Sequence, residues 1–455
     1  MSSGQPASEL FSMASKIQAW LDVEVALANS QAELGMIPVE AAREIARKGK
    51  VECIDQAALQ QDIRQTRAPI VSLVRFLARA CEGNAGDYVH WGATTQNVMQ
   101  TAEILLIRQA HQQLLNRLAD CLDVLAVLAE ISADMVMAGR TQRRHALPIT
   151  FGFKVAAWID ELLRHEERLR SAEPRVFTLI FGGAVGAMHS FGMQGEALSQ
   201  RLASHLALHR FEVPSRSASD HIVEYVLLLG LLAATCSKIA QELYVLMSEE
   251  VGEVYEDLGE AVVGSSTMPQ KVNPKLSVNV IALAAQLRAQ VVLAMDACQS
   301  SHEGDAVSSK VLYAAVDTAC PLANDMLCEL EALLGKLRLN PVRMRSNLEL
   351  SGGLINCENV MMKLAGAGLG RQLAHDVVHE ATITAVRTQR PIGQVLTDNP
   401  VVDSIMPAAE IQAALDPASH LGDSSRIALA LARRAGAEAK RIRQHSQGLS
   451  AGQPI

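Results

Sequence analysis

The chain has 455 residues, 49% hydrophobic but only 4% aromatic, and a net charge of −8 at pH 7. Its length exceeds the usual single core, and its Ala- and Leu-rich composition favours helices over sheets. The acidic balance excludes the basic face that nucleic acid selects as a partner. The eight cysteines contain no CxxC pair, which fits reduced thiols in a cytoplasmic protein rather than a disulfide framework.

The N-terminal residues show no basic stretch leading into an apolar one, so no signal peptide is expected. A first helix is predicted over 8–35, with Ile17, Trp20, Leu21, Leu27 and Ala28 on its apolar face and Gly35 as its stop. The loop Gly83–Asp87 precedes a boundary near residue 95. Beyond it, no proline falls between Pro69 and Pro148, between Pro214 and Pro269, or between Pro274 and Pro321. Intervals so rich in Leu, Ala, Ile and Val predict long helices over 98–136, 221–257 and 275–300. Rods apolar over most of their circumference must be buried on all sides. One chain cannot cover them all, so the bundle is expected to be completed by copies of itself, most simply in a homotetramer. The longest apolar run, Tyr225 to Cys236, is 12 residues, too short to span a bilayer, so no membrane partner is expected. After Asn340-Pro341, shorter amphipathic helices are predicted over 357–390 and 425–445. The expected organisation is all-α in three domains: 1–95, a central long-helix domain 96–341, and a C-terminal domain 342–455.

Three polar loops interrupt this pattern. The first, His90-Trp91-Gly92-Ala93-Thr94-Thr95-Gln96-Asn97, reads either as a helix N-cap or as a carboxylate site at a helix N-terminus. The second, Gly139-Arg140-Thr141-Gln142-Arg143-Arg144-His145, reads as solvated charge at a helix end or as a binding site. The third, Gly264-Ser265-Ser266-Thr267-Met268-Pro269-Gln270-Lys271-Val272-Asn273-Pro274, carries hydroxyls, a lysine and carboxamides that no helix core needs.

This third loop resembles the GSSxMPxKxNP signature of the fumarase/aspartase superfamily. The other two resemble that family's HxGxTSxD and GRTHxxHAxP patterns. Gln18–Glu24, Gly182–Gly186 and Leu415–Ala418 extend the similarity over nearly the whole chain, closest to the adenylosuccinate lyase and 3-carboxy-cis,cis-muconate cycloisomerase branch. The resemblance implies a three-domain helical homotetramer whose active sites collect loops from three subunits, with no metal and no cofactor. It also implies anti β-elimination or addition on a succinyl- or muconate-type polycarboxylate. Ser265 would be the base and Lys271 the stabiliser of its anion, with Lys271 and Asn273 on the substrate carboxylate. Thr94, Thr95 and Gln96 would bind a second carboxylate, and Arg140, Thr141, Ser266, Met268 and Glu303 would border the cleft. His90 matches a substrate-contacting histidine.

The departures tilt the expectation. The lyases pair a histidine in the second loop with a glutamate after the catalytic serine. Here those positions are Gln142 and Val278, as in the cycloisomerases, which keep a histidine at the position of His145 and so leave it as general acid or proton-holding group. Arginines that hold a nucleotide phosphate are absent: the family's Gln-Arg-Asp and His-Glu-Arg-Asp stretches read Ala218-Ser219-Asp220 and His302-Glu303-Gly304-Asp305. His221 falls where a family arginine would be, and either faces substrate or caps its helix. His189 lies in a glycine-rich stretch. The leading expectation is a cycloisomerase-like enzyme. The alternatives are a fumarate-releasing C–N lyase with a non-nucleotide substrate, and a non-catalytic tetramer that retains the fold. His375 and His379 are spaced i, i+4, but without a third ligand or an HExxH pattern this spacing reads as coincidence in an amphipathic helix.

Overall fold

The computed structural model describes residues 7–450 apart from 260, 261 and 263. Helix α1 (Met13–Glu33) begins at Ser12, whose Oγ accepts the Ser15 N–H. The 37-residue α2 (Thr95–Ile131) is the central rod. It is flanked by α3 (Phe151–Val176), α4 (Asp220–Leu246), α5 (Leu276–Asp296) and α6 (Ala306–Gly335), with α2 against α3 and α6, and α4 against α3, α5 and α6. Leu114, Leu118, Leu122 and Leu125 of α2 and Leu229, Leu232 and Leu243 of α4 are fully buried. Apolar area on this scale is the main favourable term in the fold.

The fold is helical, as expected, but not purely so. Three two-stranded ladders are present: β1 (Val136–Thr141) with β2 (Arg144–Thr150) antiparallel, β3 (Thr178–Leu179) with β4 (His209–Arg210) parallel, and β5 (Val254–Glu256) with β6 (Leu337–Leu339) antiparallel. The first and last shorten the helices expected over 98–136 and 221–257. Proline also proved weaker punctuation than expected, because Pro321 lies inside α6 and Pro174 inside α3.

The C-terminal segments are α7 (Pro341–Glu349), α8 (Cys357–Leu364), α9 (Arg371–Thr388) and α10 (Ser424–Ser450). The single helix expected over 357–390 is broken by Ala365–Leu369, where Gly368 takes φ 106°, a conformation only glycine adopts freely. A separate core runs from Val360 to Ala414. The last helix instead returns to the bundle: it packs along α2 and α3, and its Ala432, Ala435, Ala439 and Ile442 join the main core. Arg443 there reaches Asp120 and Asp123, and Arg441 reaches Glu166.

Two helices, α4 and α5, are long and apolar enough to cross a membrane, although each is interrupted as a continuous run. Within the protomer 67% of the apolar window of α4 is buried, but only 22% of that of α5. Val278, Val292, Leu293 and Met295 of α5 are left exposed.

Candidate active site

The first loop is fixed before α2 begins. His90 sits at φ 62°, and its Nδ1 lies 2.6 Å from Oε1 of Glu24, a carboxylate buried in α1. Burial disfavours the imidazolium, but the hydrogen bond and charge of Glu24 outweigh it and hold His90 above its ordinary pKa. One residue on, the Trp91 carbonyl accepts Gln31 Nε2 at 2.7 Å. Gly92, at φ 75°, lies against the Phe191 ring, which a Cβ would meet at 2.5 Å. Thr94 occupies the N-cap position of α2, yet its hydroxyl makes no cap bond. Asn97 Oδ1 accepts the Gly183 N–H and ties the glycine-rich 182–186 segment to the same place.

The second loop is a β-hairpin. Thr141 pairs with Arg144, and both residues of the two-residue turn, Gln142 (φ 51°) and Arg143 (φ 61°), are left-handed, as a tight hairpin turn demands. Neither residue is a favoured type there, so the turn depends on its anchorage. Arg140 supplies it, forking onto Glu253 at 3.0 and 2.6 Å, and Asn347 of α7 donates to the same carboxylate at 2.8 Å. Arg140 therefore spends its fork on a buried carboxylate and not on open cleft. Thr141 is exposed. His145 borders a cavity of about 670 Å³ with Arg143, Arg144, Gln389 and Arg390. Burial first, then the Arg140 charge, lowers the His145 pKa and keeps the ring neutral.

The third loop is exposed and held by its own atoms. Ser265 Oγ accepts the N–H groups of Thr267 and Met268 at 3.3 and 3.1 Å. Asn273, expected on a carboxylate, donates Nδ2 to the Gly264 carbonyl at 3.0 Å and closes the loop on itself. A Cβ on Gly264 would lie 2.5 Å from the Lys271 carbonyl oxygen, so this closure requires glycine. Ser266 and Met268 are exposed, and so is Lys271, which has no carboxylate partner among the described residues. At the loop's base, buried Glu256 of β5 accepts the N–H groups of Lys275, Leu276 and Ser277, capping α5 with a full negative charge.

The start of α2 also meets two distant segments. Gln96 Nε2 donates to Ser309 Oγ of α6 and to the Arg216 carbonyl, both at 3.1 Å. The Arg216 side chain returns to Gln96 Oε1 through Nε and Nη2. Gly304 lies beneath it: an added Cβ would meet Nε and Nη2 of Arg216 and Oε1 of Gln96, each at 3.3 Å. Glu303 is exposed. His221 neither caps α4 nor reaches the protomer surface. It is buried edge-on to Phe211, with ring centroids 5.0 Å apart, both ring nitrogens lack a partner among the described residues, and burial lowers its pKa to about 4. His375 and His379 stack with centroids 5.9 Å apart, and no group of three metal-ligating side chains occurs among the described residues.

The protomer thus gathers its polar residues at three places: Gln96 with Arg216, the hairpin anchored on Glu253, and the Ser265 loop anchored on Glu256. No hydrogen bond or ion pair joins one place to another among the described residues. Arg216, Glu253 and Glu256 carry these places structurally, and the sequence alone did not single them out.

A serine held on a glycine-closed loop, beside a lysine and between long helices, defines a lyase of the fumarase/aspartase kind. Residues 4–289 match the Lyase family and residues 353–431 the adenylosuccinate lyase C-terminus, and the chain belongs to this superfamily as one of its enzymes. It is 38% identical over 417 residues to trans-aconitate decarboxylase 1 of Mycosarcoma maydis, covering 92% of this chain and 84% of the relative. To adenylosuccinate lyase of Methanothermobacter thermautotrophicus it is 36% identical over 414 residues, covering 90% and 92%. The crystal structure of 3-carboxy-cis,cis-muconate lactonizing enzyme from Pseudomonas putida superposes with a TM-score of 0.86 at 32% identity, covering 96% of this chain and 97% of that one.

Proposed function

We propose that this enzyme transfers a proton at the carbon beside a carboxylate of a small unsaturated polycarboxylate, with Ser265 as the group that takes and returns it. The observation that carries this reading is the pair of backbone N–H groups on Ser265 Oγ. A serine hydroxyl is far too weak a base as it stands. Two fixed N–H dipoles, with Lys271 on the same loop, lower the cost of its alkoxide. The Thr94 and Thr95 hydroxyls and the backbone N–H of Gln96 at the start of α2 bind a second carboxylate, because the Gln96 carboxamide is committed to Ser309 and Arg216. Neutral His145 serves as a hydrogen-bonding and proton-passing group and not as a resting imidazolium.

Two of the relatives are named for 3-carboxy-cis,cis-muconate and trans-aconitate, both unsaturated tricarboxylates. The first reading is internal addition of a carboxylate across a double bond, as in a cycloisomerase. The second is decarboxylation, which like the first needs no histidine–glutamate relay to protonate a leaving group and so fits Gln142 and Val278 equally. In both, one carboxylate charge disappears and one carbon gains a hydrogen, so each turnover consumes one proton. Release of fumarate from an N-succinyl compound is the remaining outcome.

The experiment offers 3-carboxy-cis,cis-muconate, trans-aconitate and N-succinyl amino acids to the wild type and to Ser265→Ala, following lactone, carbon dioxide and fumarate. Turnover of one tricarboxylate is expected, with a loss of about 10²–10⁴-fold in Ser265→Ala. Full activity in that variant sinks the assignment of the base.

The same reading makes the enzyme a cytoplasmic homotetramer. The bare apolar face of α5 supports an assembly in which subunits complete one another's clefts. Light scattering on the eluting protein tests it, and a monomer at micromolar concentration overturns it.

A further inference from the structure

We propose that Arg216 is the residue that selects a third carboxylate on the substrate. This rests on the reading of a polycarboxylate substrate bound at the start of α2. It adds a specific group to that reading, from a segment that no motif marks.

The sequence lacks arginine at the two stretches where nucleotide-binding relatives have it, leaving Ser219 and Gly304. The structure brings a guanidinium back to the Gly304 position from elsewhere. Arg216 lies so close over Gly304 that even a Cβ there would touch Nε and Nη2. Three of its five N–H groups are used: Nε and Nη2 each give one to Gln96 Oε1, and Nη1 gives one to the Ala184 carbonyl. Every acceptor is neutral. No carboxylate pairs with Arg216 among the described residues. Two N–H groups and a full positive charge are left, the combination that recognises a carboxylate.

The surroundings favour an anion and supply a further donor. The buried hydroxyl of Tyr313, one turn along α6 from Ser309, has no partner among the described residues, and the charges of Glu103, Arg216 and Asp317 all act on it. The helices α2, α4 and α6 all begin in this neighbourhood, at Thr95, Asp220 and Ala306, and their N-terminal ends add positive potential. Of the acids nearby, Asp305 accepts the Val307 N–H and the Ser301 hydroxyl, Asp317 pairs with Lys16, and burial pushes the Glu103 carboxyl up to about 8. Gln96 connects the Arg216 guanidinium to the helix end that takes the second carboxylate, so a third carboxylate on the same small molecule falls to Arg216.

The test uses unreactive ligands, so it does not depend on which reaction is catalysed. Isothermal titration of the full-length protein compares tricarballylate with glutarate, the same three-carbon chain without the central carboxylate. The wild type is expected to bind tricarballylate at least tenfold more tightly. Arg216→Gln removes that preference while changing glutarate affinity less than threefold. Arg216→Lys, which keeps charge without the fork, and Tyr313→Phe, which removes one donor at constant shape, each reduce the preference in part. A wild type without the preference, or an Arg216→Gln protein that keeps it, overturns the proposal. If Arg216→Gln does not fold, an undiminished preference in both other variants overturns it. Ser265→Ala is expected to bind both ligands like the wild type, so a failure of the Ser265 assignment is read from turnover and leaves this result standing.

Discussion

The first and third loops are built in opposite ways. The first is pinned from outside: a buried carboxylate grips His90, Gln31 grips Trp91, and Phe191 fills the space against Gly92. The third is held from inside, by Asn273 onto Gly264 and by its own N–H groups onto Ser265, and Glu256 fastens only its base. An externally pinned loop can present fixed donors to a carboxylate. A self-held loop can travel as one piece and carry its serine with it. On the proposed reading, the binding half of the candidate site is part of the scaffold and the reactive half is a lid mounted on it.

This contrast can be broken by substitution. Glu24→Ala should damage the scaffold itself: it leaves half-buried His90 without its partner and lowers unfolding free energy by about 2–3 kcal/mol, measured by denaturant titration. An unchanged midpoint would show that the first loop is not pinned from α1. Gly264→Ala should do the reverse. Its Cβ cannot fit against the Lys271 carbonyl, so turnover should fall by about tenfold to a hundredfold, while the melting temperature stays within a degree or two because no core contact is lost.

A finer test uses pH. Because Glu24 raises the folded-state pKa of His90, that pair adds stability fully present below about pH 6.5. The increment is lost as pH rises through the raised value. Glu24→Gln should flatten this part of the stability profile, and an unaltered slope would count against the ion pair. His221 acts with the opposite sign. Its folded pKa near 4 means that stability is lost as pH falls from about 6.5 towards 4, and His221→Phe should remove that acid-side slope.

The third loop was legible in the sequence because its chemistry is local: the residues that close it on itself lie between Gly264 and Asn273, and only Glu256 at its base comes from outside. The long helices were legible from apolar composition, but their ends were not. The β1–β2 hairpin escaped notice because Gln142-Arg143 is no turn signal, and left-handed φ there is enforced from outside by Arg140 and Glu253. Glu253 and Glu256 look like solvated acids in Val251–Glu260. Only folding shows one gripping an arginine and the other capping α5. Arg216 is the extreme case, since its significance depends on a glycine 88 residues away in sequence. What the chain encodes locally could be read directly, and what it encodes by juxtaposition could not.

The return of α10 to the bundle has a consequence for how the chain is made. The groove it fills is formed by α2 and α3, complete by residue 176, yet α10 begins at residue 424. During synthesis that groove, with Asp120, Asp123 and Glu166 along it, has no occupant until almost the whole polypeptide has emerged. Contacts closed over so long a separation form slowly. The nascent protein therefore spends most of its synthesis with an unfilled hydrophobic seam, the period in which it most needs protection from aggregation.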